Sequence, residues 1–251
     1  MKLAVLTENT VRSPFLASEH GLSLYIGTGG HKILFDMGQS GAFADNAQKL
    51  GIDLETVDFA VLSHGHYDHG GGMMQFLRSN SQAPVFVSPH AFEPHFNASG
   101  KNIGLDRDLP RERICPVADG FCPAPGIRIC TVPFPPADTA GMTMGEDLPE
   151  DFRHEQYLLI EEEGRRILLS GCSHKGIVGI AEYFRPDVLV GGFHFMKTEN
   201  MRILEAAAQR LLALDCMYYT GHCTGQKQFA ILKQIMGSRL QDLSTGDRLY
   251  L

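Results

Sequence analysis

Short apolar runs alternate with amphipathic stretches along most of the chain. Lys2–Leu6, Leu22–Ile26 and Lys32–Phe35 have the length and side chains of strands, and Gly27-Thr28-Gly29-Gly30 joins the last two as a hairpin loop. Ala42–Leu50 has helical spacing and ends at Gly51. Val57–Leu62 is short and mostly apolar, as suits a strand covered on both faces. A polar run follows, then a helix at Met73–Arg78 and a strand at Val85–Ser88. A second hairpin is predicted from Gln156–Ile160 and Arg166–Leu169, turning at Glu163-Gly164. Helix 175–184, strand Val188–Val190, helix Asn200–Leu214, strand Met217–Tyr219, helix Gln226–Met236 and strand Arg248–Leu251 complete the pattern. Each half opens with antiparallel strands and closes with β–α units. That order predicts one α+β domain over 1–251: two mixed sheets face to face, with helices on the outer faces.

Residues 89–153 break the pattern. They hold most of the thirteen prolines and show little periodicity beyond a strand at Ile127–Val132. The segment reads as an irregular insertion, either a lid over a site or a plain surface excursion.

The polar run after Val57–Leu62 changes the picture most. Residues 63–72 are Ser-His-Gly-His-Tyr-Asp-His-Gly-Gly-Gly. His64 and His66 are two apart, so on extended backbone they leave the same face. Asp68 and His69 follow where the chain must turn. Imidazole and carboxylate are ligands of Zn²⁺ and similar ions. Gly70-Gly71-Gly72 would let the backbone approach whatever those ligands hold. The ligands would then sit at the carboxyl end of a core strand, a common place for sites in α/β proteins.

Three later strands end in the same way. Arg166–Leu169 runs into Ser170-Gly171-Cys172-Ser173-His174, Val188–Val190 into Gly191-Gly192-Phe193-His194, and Met217–Tyr219 into Thr220-Gly221-His222-Cys223. If these strands run parallel, all the histidines meet at one edge. Asp36 closes the strand Lys32–Phe35. It could accept an imidazole N–H and fix the tautomer, or cap the helix that starts near Gly41.

Composition adds exclusions. With 251 residues, 43% hydrophobic content and a net charge of −7, the chain resembles an ordinary acidic globular protein with no Lys/Arg run for nucleic acid. No apolar run approaches the length of a membrane span, and the first residues do not resemble a signal peptide. The six cysteines form no Cys-x-x-Cys pair, so reduced thiols in a cytoplasm are expected. The expected partner is a small anionic molecule, not nucleic acid or membrane, and a homodimer is left open.

Together, Phe35-Asp36-Met37-Gly38, the His-x-His-x-Asp-His run at 64–69, Gly171-Cys172-Ser173-His174 and Gly221-His222 resemble the metallo-β-lactamase superfamily over nearly the whole chain. With Glu19-His20-Gly21-Leu22-Ser23, Gly191-Gly192-Phe193-His194 and Thr220–Gly225, they resemble the branch that includes 7,8-dihydropterin-6-methyl-4-(β-D-ribofuranosyl)aminobenzene-5′-phosphate synthases. The resemblance implies an αββα sandwich with a binuclear site at one edge. His64 and His66 would share the first ion, and Asp68, His69 and His222 the second. The third ligand of the first ion is either His174, the preferred choice, or His154. The family's bridging acid would fall near Cys172, which is either a thiolate ligand or a small buried neighbour. His194 matches no usual ligand and is assigned to substrate contact or proton transfer. Zn is favoured for both divalent ions, and Mn or Fe would also fit.

Departures narrow the function. His66 stands where oxygen-reducing di-iron relatives carry Glu, and the signatures of glyoxalase II and RNase Z are missing. A true β-lactamase is disfavoured without a signal peptide. The resemblance implies a metal-dependent hydrolase in which a bridging hydroxide attacks a small ester, phosphodiester or lactone, with Asp68 as ligand and proton acceptor. A transferase joining a pterin-methyl diphosphate to a ribosyl-aminobenzene phosphate uses the same electrostatics. A non-catalytic metal-binding or ligand-sensing domain is the weakest reading, because the ligand positions are almost all filled.

Overall fold

Alternation along the strands decides how the layers stack. The computed structural model describes residues 1–136, 138–145 and 148–251. The first half supplies β1 (Lys2–Thr7), β2 (Ser23–Thr28), β3 (His31–Phe35), α1 (Ala42–Lys49), β4 (Phe59–Val61), α2 (Tyr67–Gly70), α3 (Met73–Ser79) and β5 (Val85–Val87). Short strands follow: β6 (His95–Phe96), β7 (Ile114–Pro116), β8 (Phe121–Ala124), β9 (Ile127–Cys130), β10 (Thr143–Met144) and β11 (Leu148–Pro149). The second half supplies β12 (Tyr157–Glu162), β13 (Arg165–Ser170), α4 (Ile177–Phe184), β14 (Val188–Gly191), α5 (Met201–Leu212), β15 (Met217–Thr220), α6 (Gln226–Met236), β16 (Leu240–Asp242) and β17 (Arg248–Tyr250).

One seven-stranded sheet has the order β17-β1-β2-β3-β4-β5-β7, the other β16-β15-β14-β13-β12-β9-β8. Side chains of one parity fill the space between them. Leu24, Ile33, Phe35, Phe59 and Val61 meet Ile129, Leu158, Ile160, Leu169 and Val190 in one cluster. The opposite parity faces the helices. Leu34 and Ala60 pack with Phe43, Met73 and Phe76 of α1 and α3. Leu159, Leu168, Leu189 and Tyr218 pack with Ile180, Leu204, Leu211 and Leu232 of α4, α5 and α6. The result is a helix–sheet–sheet–helix sandwich, the period-two reading of each strand carried into three dimensions.

Strand direction places the site. β3, β4, β5 and β7 run parallel, and so do β13, β14, β15 and β16. Their carboxyl ends carry Asp36, the His64–His69 run, Cys172, His174, His194 and His222.

The 89–153 segment is mostly irregular, as expected, but it carries more strands than Ile127–Val132 alone. β7 extends the first sheet, while β8 and β9 extend the second. β6, β10 and β11 form a small sheet of their own. Pro116 lies in β7 and Pro123 in β8, and both strands are sheet edges, where a missing N–H costs no ladder bond. Residues 137, 146 and 147 of this segment lie outside the described residues. β16 is a further strand that the apolar pattern did not disclose, since only Leu240 of its three residues is buried.

The layer between the sheets carries the stability. Leu169→Ala removes a fully buried side chain there and is expected to cost about 2–5 kcal/mol. Ile203→Ala, on the outer face of α5 at 51% exposure, is expected to cost less than about 0.5 kcal/mol. Urea denaturation of the two variants checks the contrast.

Candidate metal centre

Asp36 organises the first half of the site. It follows β3 with φ at +59°, fully buried, and its N–H donates to Val61 O at 2.9 Å. Its carboxylate accepts from Ser63 N (2.7 Å), Ser63 Oγ (2.7 Å) and His69 Nδ1 (2.6 Å). The N-cap of α1 is Gly41 with no side-chain cap, so Asp36 orients an imidazole and does not cap the helix.

These bonds fix proton positions. His69 donates from Nδ1, which leaves its Nε2 lone pair free. Ser63 spends its hydroxyl hydrogen on Asp36, so at 2.9 Å it accepts from His64 Nδ1, and His64 Nε2 is likewise a lone pair. His222 donates from Nδ1 to Asn9 Oδ1 at 2.8 Å, which frees its Nε2.

Imidazole nitrogens from the two halves face one another in pairs. His69 Nε2 and His222 Nε2 are 3.1 Å apart, and His64 Nε2 and His174 Nε2 are 3.3 Å apart. In the His69–His222 pair both rings spend their Nδ1 hydrogens elsewhere, and facing lone pairs repel at such a distance unless a cation lies between them. His174 Nδ1 has no partner, so its Nε2 either donates to His64 or faces it as a second lone pair. Two imidazoles on one tetrahedral Zn²⁺, with Zn–N of about 2.0–2.1 Å, place their nitrogens about 3.3 Å apart. Cys172 belongs to both clusters: its Sγ is 3.2 Å from His69 Nε2, and it groups with His64 and His174 within 4.8 Å. The donor set is one that could hold divalent metal.

Asp68 stands on α2, with Oδ2 3.2 Å from His20 Nε2 and 3.4 Å from His222 Nε2. Burial alone would raise its carboxyl; the neighbouring His20, His222 and His69 rings overcome this and hold it well below the carboxylate range. Burial and neighbouring imidazoles push His64 and His174 well below the usual histidine value, which keeps them neutral, as ligands must be. His69 moves the other way. Burial opposes the charge, but the Asp36 carboxylate outweighs it and raises the ring. Burial raises the Cys172 thiol, helped by Cys223 beside it.

The two candidate third ligands differ in their hydrogen bonds. Gly65 N–H donates to His154 Nδ1 at 2.8 Å, so His154 carries its own proton at Nε2 and offers no lone pair as a neutral ring. His174 stacks on Phe152 at 4.4 Å, and its backbone N–H donates to buried Glu155. His66 has its ring 4.6 Å from His64 and 4.9 Å from His174, while one of its nitrogens clusters with His95 and His154. His194 is half-buried beside His174 at 4.2 Å, and burial pushes it down to about 4. Asp36, Ser173, His194 and His222 all adopt positive φ, a concentration of strained non-glycine backbone at this edge.

The glycines serve a different purpose from the one expected. A Cβ on Gly71 would meet Gln39 O at 2.4 Å, and one on Gly72 would meet Met37 O at 2.1 Å. They admit the loop after Asp36 and do not face the ligands. At Gly171 the contact is to the site, since a Cβ would meet Ser63 Oγ at 2.1 Å.

Sequence reasoning did not assign roles to His20, Glu8 or Asn9. Buried Glu8 accepts from the His222 N–H and from Thr10 N at 2.6 Å. Glu8 and Asn9 follow β1, which points the same way as β3, so the strand-end rule that selected Asp36 would have selected them too. His20 lies in a loop with no spacing signal.

Among known proteins, the family model described as the metallo-beta-lactamase superfamily matches residues 19–219. The 7,8-dihydropterin-6-methyl-4-(beta-D-ribofuranosyl)-aminobenzene-5′-phosphate synthase of Methanocaldococcus jannaschii is 30% identical over 90% of this chain and 88% of its own. The crystal structure of Tm1679, a metal-dependent hydrolase of the beta-lactamase superfamily, superposes with a TM-score of 0.84 at 26% identity, covering 100% of this chain and 99% of that one. Zn²⁺-bound PqqB from Methylobacterium extorquens shares the fold at a TM-score of 0.63 and 12% identity, over 100% of both chains. Sequence, layer order and the histidine-rich edge agree: the chain belongs to the metallo-beta-lactamase superfamily.

Proposed function

We propose that the protein is a hydrolase of small anionic esters, phosphodiesters or lactones, working at a binuclear centre. The carrying observation is the two pairs of facing imidazole nitrogens at 3.3 and 3.1 Å, joined by Cys172. His64, His66 and His174 would hold one ion, Asp68, His69 and His222 the other, with Cys172 between them. His20 is a further donor near the second. Divalent ions there would supply Lewis acidity and a nucleophile from water at neutral pH.

The chain's own groups do the rest. Asp68, held ionised by its histidine partners, is placed to accept a proton. His194, neutral beside His174, can contact an anionic leaving group or pass a proton to it. Bound ions would attract a negatively charged substrate despite the net charge of −7. Zn suits the imidazole-rich donors best, and Mn or Fe would also serve.

The 30% identity to a pterin synthase over most of both chains favours a second reading: joining a pterin-methyl diphosphate to a ribosyl-aminobenzene phosphate. There the same cations would hold the departing diphosphate. The two readings separate on substrate. Turnover of a chromogenic phosphodiester or a lactone, lost in His66→Ala and Asp68→Ala, supports the hydrolase. Product only from the pterin diphosphate with its aminobenzene partner supports the synthase. Full activity in either variant overturns the site.

The ligand assignment is checked by elemental analysis. The wild type is expected to hold about two ions per chain, each coordinated as protein Zn sites are. His174→Ala should lose metal. His154→Asn, whose amide oxygen can still accept from Gly65 N–H, should keep it.

A further inference from the structure

Asn9, half-buried just past β1, bridges the rings of His20 and His222. The two rings lie 4.9 Å apart, and each brings Nε2 to the same carboxylate oxygen. Asp68 Oδ2 is 3.2 Å from His20 Nε2 and 3.4 Å from His222 Nε2. Asn9 bonds through both ends of its amide. Its Oδ1 lies 3.2 Å from Gly21 N and 2.8 Å from His222 Nδ1. Its Nδ2 lies 3.4 Å from His20 Nδ1 and 3.5 Å from His222 O.

The backbone decides which way that amide points. Gly21 N–H can only donate, so the Asn9 atom facing it is the oxygen. The amide NH₂ then faces two acceptors, the His222 carbonyl and His20 Nδ1. With that donor on Nδ1, the neutral His20 ring carries its hydrogen on Nε2 and gives it to Asp68. A cationic His20 would set a second hydrogen against the amide NH₂ and lose that bond. His222 is set the opposite way. It donates from Nδ1 to the amide oxygen and turns a lone pair on Nε2 toward His69 and Asp68. One amide therefore fixes two rings as opposite tautomers. His222 offers a lone pair that can ligate, and His20 offers a hydrogen that cannot.

The loop that carries His20 is tied to Asp68 as well. Leu22 N–H donates to Asp68 O at 3.3 Å, and a Cβ on Gly21 would meet that same oxygen at 2.5 Å. We infer that Asn9 and His20 are positioning residues for the second ion: Asn9 sets both tautomers, and His20 orients Asp68 through a hydrogen bond to Oδ2 without ligating. The inference rests on the binuclear reading above. Partners of this kind typically change metal affinity about 10–100-fold when removed.

The test uses the full chain labelled with ¹⁵N at histidine. Long-range proton–nitrogen NMR of the metal-free protein reads the tautomer of each ring, and His20→Gln and His222→Gln identify the two signals. Hydrogen is expected on Nε2 of His20 and on Nδ1 of His222. Asn9→Asp keeps an acceptor for His222 but no donor for His20, so only the His20 pattern should change. Co²⁺ titration against a chromophoric chelator then reports affinity. Asn9→Leu and His20→Leu are expected to weaken one of the two ions about 10–100-fold. His20→Gln, whose amide NH₂ can still donate to Asp68, should stay within about threefold of wild type. Thermal melting identifies a variant that fails to fold, and the wild-type spectrum with His20→Gln then carries the test. Hydrogen on Nδ1 of His20 in the wild type, an unchanged His20 pattern in Asn9→Asp, or loss of an ion in His20→Gln overturns the inference while leaving the binuclear site intact. No Co²⁺ uptake by the wild type overturns both readings.

Discussion

The site depends on one buried carboxylate. Asp36 is fully buried, yet it faces three donors, Ser63 N, Ser63 Oγ and His69 Nδ1. A carboxylate taken from water into an apolar core is expensive unless its oxygens are bonded. Here the bonds that offset burial are also the ones that set two histidine tautomers. His69 is set directly, and His64 through the Ser63 hydroxyl. Loss of the carboxylate would release both rings and the backbone at Ser63 together. The strained φ of +59° at Asp36 persists because these bonds over-determine it.

A second constraint is the division of the candidate ligands between the halves. His64, His66, Asp68 and His69 follow β4, whereas Cys172, His174 and His222 follow strands of the other sheet. Each close nitrogen pair joins one histidine from each half. The sheets are already held by the apolar layer between them, so the edge brings like groups together before any ion arrives. A metal bound there would couple directly to sandwich stability, because the unfolded chain offers no such pairing. The neutral, buried state of His64 and His174 is therefore a property of the assembled fold and not of either half alone.

Most of the sandwich was legible because its strands obey a period of two, with one parity facing the other sheet and one facing helices. The ligand run at 64–69 was legible because no structural need places three histidines and an acid there. Edge strands were harder. β7 and β8 are short and contain proline, which the local pattern reads as loop although an edge tolerates it. The partners of the ligands were hardest. Asn9 meets His222 across 213 residues, and His95 meets Glu150 across 55, through topology that no local spacing encodes. Asp36 was within reach because a strand-end acid has a stated chemistry, but the choice between capping and orienting needed Ser63 and His69 in place.

The 89–153 segment is tied to the ligand loop at several points, which limits any lid-like motion. Tyr67 N–H donates to Ile103 O at 2.9 Å, and Gly65 N–H to His154 Nδ1 at 2.8 Å. A Cβ on Gly65 would meet Ala91 O at 2.2 Å, so the segment lies directly on the backbone between two ligands. Lifting it whole would expose these donors and the buried His95–Glu150 pair. Its exposed turn at Ala98–Lys101 makes no hydrogen bond to the ligand loop among the described residues and touches it only where Lys101 Nζ lies 5.7 Å from the Tyr67 ring centroid. Movement at the site is therefore most readily confined to that turn, while the rest of the segment acts as the wall that keeps His66 and Gly65 in place.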